Sequence, residues 1–217
     1  MNIWKIATPN CIFISSRDNY LIKYAKNSFD LSAKWFEKTC FGSQYLRFAK
    51  DVDDFIAMAK NNIIKINKID FLKIALFDLW ISNEDRRAGN PNIIAEIKKD
   101  KIILNAIDHD KILNSNSGMP LFLISRDETI LKHNLFRALY KKNEIIKYDI
   151  FSDIIYEFEN IIELCARNID EILSNVPVDW NLDIKSKRDY LFDNLFDPGW
   201  IKAVSKSFKE YCSFYLR

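Results

Sequence analysis

Residues 68–82, KIDFLKIALFDLWIS, carry Ile69, Leu72, Leu76 and Leu79 at helical spacing. That pattern predicts an apolar helix that runs into the core and stops near Asn83, with Asn67 placed as its N-cap. Residues 149–174 repeat Ile150, Ile154, Phe158, Ile161, Ile162, Cys165, Ile169 and Leu173. They predict one long amphipathic helix with a wide apolar face, ended by Pro177. The stretch NVPVDWNLD then reads as a loop. Residues 186–197 and 200–216 read as two more helices, separated by Asp197-Pro198-Gly199. Upstream, Val52, Phe55, Ile56 and Ala59 share a helix face, and residues 31–60 are expected to be mainly helical. Residues 11–25 read as two short strands around the polar turn Ser15–Asn19. Asn92–Glu96 and Lys101–Ile107 flank the charged turn Lys98-Lys99-Asp100 and predict a hairpin. The fold class is therefore α+β, mostly α, with a small central hairpin.

The chain of 217 residues suits one domain or two small lobes. Hydrophobic residues make up 48% and charged ones 29%, enough to build a core and stay dissolved. Lys and Arg number 32 against 30 Asp and Glu, a net charge of +2 that is too balanced to argue for nucleic acid. No stretch approaches the ~20 apolar residues of a membrane span. The opening MNIWKIATPN lacks the apolar core of a signal peptide, so a cytoplasmic location is expected. Cys11, Cys40, Cys165 and Cys212 are scattered with no CxxC pair, which argues for buried free thiols over a metal site or disulfide. With only 4 Gly and no GxGxxG or GxxxxGK[ST], the chain holds no glycine-rich phosphate cradle. Trp35, Trp80 and Trp200 sit at helix-like positions and are expected in the core rather than as stacking platforms.

Chemistry concentrates in FDLWISNEDRRAGNPNIIAEIKKDKIILNAIDHD, from Phe77 to Asp110. NEDRRAGNP is turn chemistry, and Pro91 drives Asn90 out of the helical region. Asp85 and Asn90 share this irregular loop, and Asp108 follows the second hairpin strand. Antiparallel strands can return Asn90 and Asp108 to the same end, so the three can surround one small volume. Phosphoryl transfer needs such a set, because the protein mainly positions Mg²⁺ and orients the nucleophile. Hard oxygen ligands suit Mg²⁺. In this reading Asp108 is the main metal ligand, Asn90 the second, and Asp85 accepts or orients the attacking hydroxyl. The spacing Asp85, four residues, Asn90, hairpin, Asp108 is that of protein kinases. A purely structural alternative stands beside it: Asp85 as a turn residue, Asn90 capping its own backbone, and Asp108 as an N-cap.

These residues resemble the HipA-like kinases, closest to a compact bacterial subgroup. The family pattern is an apolar helix, an N-x-D-R-x-x-x-N-P-N-like loop, a hairpin and an I-D-H segment. Here it stands as Phe77–Ser82, then Asn83 through Asn92, then Ile107-Asp108-His109. Phe41-Gly42-Ser43-Gln44-Tyr45 and Val176-Pro177-Val178-Asp179-Trp180 are similar to two flanking family segments. The resemblance implies a protein-kinase-like C-lobe and ATP-dependent phosphorylation of a protein Ser or Thr. It implies Asp85 as the base, and Asn90 and Asp108 as Mg²⁺ ligands. The expected division is residues 1–40 as hinge-side strands and entry segment, and 41–217 as the helical kinase core.

Such kinases also carry a β-rich N-lobe, for which few residues remain here. One consequence is a split kinase, with a small partner protein, of the kind found in toxin–antitoxin operons, supplying the missing lobe. The other is a degenerate scaffold that binds a partner without catalysis. A rival alignment makes Lys23 the ATP lysine, with Glu37 as its pairing acid. Arg86 and Arg87 are expected either at phosphate or a substrate carboxylate, or as solvated loop charge. Arg86, Lys23 and His109 complete the expected cofactor-binding set, His109 by holding the metal loop in shape. His133 is expected within a helix, with no partner visible in the sequence.

Overall fold

The computed structural model describes residues 3–15, 37–61, 63, 65–99, 101–113, 120–141 and 150–216. Its centre is helix α2 (Lys68–Trp80), which buries Phe71, Leu72, Ile74, Ala75, Leu76, Leu79 and Trp80. A helix this apolar has neighbours on most of its circumference. Asn67 takes the N-cap position, but its amide bonds the Asp70 carboxylate at 2.7 Å instead of a helix N–H. The helix stops where expected: Ile81 caps it and Ser82 turns to a positive φ of 51°.

The predicted hairpin is present as β5 (Ile93–Lys98) and β6 (Lys101–Ala106), in register from Ile93 opposite Ala106 to Lys98 opposite Lys101. It forms the middle of a four-stranded sheet with β3 (Ala49–Asp51) antiparallel to β5 and β4 (Lys65–Ile66) parallel to β6. Ala95, Ile102, Leu104 and Ala106 face the core. Around the sheet and α2 pack α1 (Ile56–Lys60), α3 (Asn134–Leu139), α4 (Ile150–Arg167), α5 (Ile169–Ser174), α6 (Ile184–Asn194) and α7 (Pro198–Tyr215).

Several expectations change. Residues 37–51 are extended, not helical, and the helical pattern begins only at Val52. Cys11–Ile14 forms β1, but its partner is β2 (Cys40–Ser43), antiparallel, with Ile12 opposite Gly42. The expected second strand within 11–25 lies outside the described residues, as do Trp35 and most of the turn at Ser15–Asn19. The helix expected over 149–174 breaks into α4 and α5 at Asn168, whose side-chain amide bonds the Leu164 carbonyl at 2.7 Å and competes with the helix ladder. Asp197-Pro198-Gly199 opens a helix instead of merely separating two: Asp197 accepts from the Trp200 N–H at 2.8 Å, and Pro198 sits in the first turn, where its missing N–H costs nothing. His133 also has partners. It caps α3 by accepting from the Leu135 N–H and bonds Asp53 at 2.8 Å.

Trp4 and Ile6 belong to the same core, with the Trp4 ring against Phe77, Trp80 and Phe158. The Trp80 indole N–H donates to the Leu195 carbonyl, and that of Trp200 to the Trp80 carbonyl, tying α7 to the end of α2. All four cysteines are free; Cys165 and Cys212 are buried, whereas Cys11 is exposed. Among the described residues no helix is long and apolar enough to cross a membrane.

Candidate active site

The chain past α2 cannot continue as helix, because Ser82 takes a left-handed conformation and Pro91 lies ahead. The resulting loop, 81–92, is stitched to the segment 107–113. Leu113 N–H donates to Ile81, Glu84 N–H to Lys111, and Ile107 N–H to Asn92, at 2.8 to 3.0 Å. Arg87 and Asn90 exchange backbone hydrogen bonds and close the loop tip. Asn92 and Asp108 both have positive φ, 44° and 53°, a conformation that Asn and Asp tolerate better than other side chains.

Asp85 stands at the middle of this arrangement. The amides of Asn90 and Asn92 each donate to its Oδ2 at 3.0 Å, and the Lys111 ammonium lies 3.7 Å from Oδ1. Partial burial disfavours its charge, but the two amides and Lys111 outweigh that and hold the carboxyl below its ordinary value. Asp85 is therefore ionised and fixed in direction at neutral pH. Carboxylate oxygens of Asp85, Asp108 and Asp110 lie within 4.8 Å of one another, with Asp108 and Asp110 exposed. Asp108, His109 and Asp110 line one wall of a cleft of about 1040 Å³. The facing residues include Pro9, Asn10, Cys11, Phe41 and Ser43. An all-oxygen donor set at a cleft rim fits a hard cation such as Mg²⁺.

Beneath the acidic cluster lies a buried ion pair. Arg86 and Asp78 have side chains 0% and 6% exposed, and Arg86 Nη1 bonds Asp78 Oδ1. Asn83 donates to the same oxygen at 2.9 Å. Burial pushes the Asp78 carboxyl up to about 6, against the pull of Arg86 and Asn83. Arg86 also donates through Nη2 to the Ile107 carbonyl at 2.6 Å and through Nε to that of Asn92 at 3.4 Å. Its Nη2 lies 3.1 Å from His109 Nε2. Since guanidinium only donates, His109 accepts there and carries its proton on Nδ1. Burial and the neighbouring Arg86 charge push His109 down to about 4, so it is neutral.

Asp85 and Asp108 are thus brought together, and Asn90 holds Asp85. The sequence places Arg86 in the cofactor-binding set, but the structure buries it and commits its nitrogens to Asp78, Asn92, Ile107 and His109, so it is not free to grip a cofactor. Arg87 is exposed. His109 lines the cleft and packs edge-on against Phe77, 6.1 Å away. Lys23 lies outside the described residues, so its pairing with the exposed Glu37 has no structural counterpart here. Sequence reasoning missed Asp110, Asn92, Lys111 and Asp78. Asp110 had a signal, its place two residues after Asp108; so did Asp78, an acid in an otherwise apolar helix.

A family model described as HipA-like kinase matches residues 5–196. No curated protein and no solved structure matches the chain.

Proposed function

The chain belongs to the HipA-like kinase family, and from that premise we propose that it transfers the γ-phosphoryl group of ATP to the hydroxyl of a protein Ser or Thr. The observation that carries this reading is the convergence of Asp85, Asp108 and Asp110 within 4.8 Å at the rim of a large cleft. Asp85 orients the acceptor hydroxyl and takes its hydrogen bond, which an ionised, doubly amide-held carboxylate is suited to do. Asn90 and Asn92 keep that carboxylate from swinging. Asp108 is assigned as the principal Mg²⁺ ligand with Asn90 and Asp110 as further oxygen donors, and Mg²⁺, when bound, neutralises charge on the phosphate oxygens. Arg86 acts through Ile107 and His109 on the backbone that carries Asp108.

A partner protein supplying an N-lobe belongs to the same proposal. Ile12, Phe13, Ile14 and Phe41 are exposed on the β1 and β2 ribbon, and apolar surface of that kind marks interaction sites. The proposed location is the cytoplasm, whose reducing conditions suit free cysteines.

The test is calorimetric titration of Mg·ATP into the chain and into Asp108→Ala, followed by phosphate transfer to a protein acceptor. Binding by the wild type that depends on Mg²⁺ and is lost in the variant supports the reading. If the wild type binds nothing, alone and with an N-lobe partner added, the scaffold alternative replaces it.

A further inference from the structure

The loop Val176–Trp180 has no part in the acidic site, yet it holds the opposite wall of the cleft. Asp179 Oδ2 accepts from the Thr39 N–H at 2.5 Å, and the Trp180 indole N–H donates to the Thr39 carbonyl at 2.6 Å. Both backbone groups of one residue are taken by adjacent side chains 140 and 141 positions away. The Phe13 ring stands edge-on to Trp180 at 5.8 Å and to Phe41 at 6.2 Å, so the loop grips both strands of the ribbon. Asp179 is a carboxylate held below its ordinary range, first by the Thr39 N–H.

The ribbon needs such a grip. Its strands have four residues each, and every residue of β1 is exposed. Two-stranded ribbons are marginal on their own. Among the described residues no other named element packs broadly against it. Its N-terminal root is anchored, since Ala106 N–H donates to the Ala7 carbonyl, while the Gln44 N–H, donating to that of Asn10, extends the ribbon's own ladder by one pair. The far end, at Ile14 and Cys40, adjoins Thr39. Cys11, Phe41 and Ser43 line the cleft, so the ribbon's attitude sets the distance between that wall and Asp108.

We propose that Asp179 and Trp180 are positioning residues that clasp the ribbon at Thr39 and so hold the cleft at the width that binds nucleotide. The proposal rests on the kinase reading above. A ligand that binds only the clasped form has its apparent Kd raised in proportion as that form is depopulated. Loss of one clasp bond should therefore weaken Mg·ATP by about 3- to 10-fold and leave kcat within about twofold, because the acidic residues are held elsewhere.

The experiment measures amide hydrogen exchange and Mg·ATP kinetics in the wild type, Asp179→Ala and Asp179→Asn. The asparagine oxygen can still accept from Thr39, so it should restore wild-type behaviour. The expected result is faster exchange at Thr39 and along the ribbon in Asp179→Ala, with α2 unchanged, and a raised KM for ATP at nearly constant kcat. Unchanged ribbon exchange overturns the clasp. Faster exchange with an unchanged KM overturns its role in nucleotide binding. A wild type that binds no Mg·ATP under any condition overturns the kinase reading and this inference with it, an outcome visible before any variant is compared.

Discussion

Replacing Arg86 by Met tests whether the acidic cluster stands on a buried ion pair. The guanidinium and the Asp78 carboxylate are 0% and 6% exposed, so water cannot compensate either one. Removing one partner of such a pair costs about 3–5 kcal/mol, chiefly because the survivor is left charged and buried. Domains of this size have about 5–15 kcal/mol in all, and each kcal/mol moves Tm by about 2–4 °C. Arg86→Met should therefore lower Tm by about 6–20 °C. The double variant Asp78→Asn/Arg86→Met removes both charges and should recover most of that loss. The deficit also depends on pH. Without Arg86 the Asp78 carboxyl rises further above its wild-type value of about 6. A group raised in the folded state stabilises it below the unfolded value, and that stability is lost as pH rises through the folded value. The variant's deficit therefore narrows as pH is lowered toward about 6, where the wild-type carboxyl takes up its own proton. Denaturant unfolding of the wild type, both single variants and the double variant across that range measures all of this. A deficit under about 1 kcal/mol, or one that the double variant leaves in place, would refute the reasoning.

Asp85→Ala should lower kcat by about 10²–10⁴ while Mg·ATP affinity holds within about twofold, as read by single-turnover phosphate transfer and titration. Because its carboxyl is depressed, Asp85 loses its charge only as pH falls below the ordinary 3.8, so the pH profile of kcat/KM should show no acid limb from it above that value. His133→Ala removes the α3 cap and the bond to Asp53 and should cost about 0.5–2 kcal/mol in denaturant unfolding. Trp200→Phe keeps a ring but loses the bond to the Trp80 carbonyl, a loss of about 1 kcal/mol by the same assay.

What the sequence made legible is what local physics decides. The central helix is apolar on most of its circumference, and the hairpin and the last helix, Pro198–Tyr215, bury patterned faces; such patterns are readable without knowing the neighbours. Asp85 was legible because Asn, Asp, Gly and Pro around it forbid a helix, and because two polar residues recur at a fixed spacing. The ribbon was not legible, since Cys11–Ile14 pairs with residues about thirty positions on. Short apolar runs such as Phe41-Gly42-Ser43 carry no period to read. Arg86 read as a choice between cofactor contact and solvated charge because its neighbours are polar; only the tertiary fold brings Asp78, Ile107 and His109 around it. His133 was misplaced for the same reason, its partner Asp53 being 80 residues away. Thr39 and Trp180 meet across 141 residues, beyond any local pattern.

The two walls of the cleft are held by separate devices, and this separation decides what each perturbation can do. On one side, the backbone at Asp108 is left-handed and carries an exposed carboxylate. Among the described residues nothing is hydrogen-bonded to the side chains of Asp108 or Asp110. Their positions come from the backbone instead. Ile107 is fixed before them by Arg86 and Asn92, and Lys111 and Leu113 after them by Glu84 and Ile81. The same loop, 81–92, presents Asp85 through Asn90 and Asn92. All three carboxylates are therefore referenced to one frame, whose buried centre is Arg86. On the other side, the ribbon is rooted at Ala7 and clasped at Thr39, and among the described residues it has no hydrogen bond to that frame beyond the one from Ala106. Loosening Arg86 should displace the acids relative to each other and fall on kcat. Loosening the clasp should move the ribbon as a body and fall on nucleotide affinity. A kinase built this way can have its affinity tuned from the Val176–Trp180 loop without disturbing the geometry around Asp85.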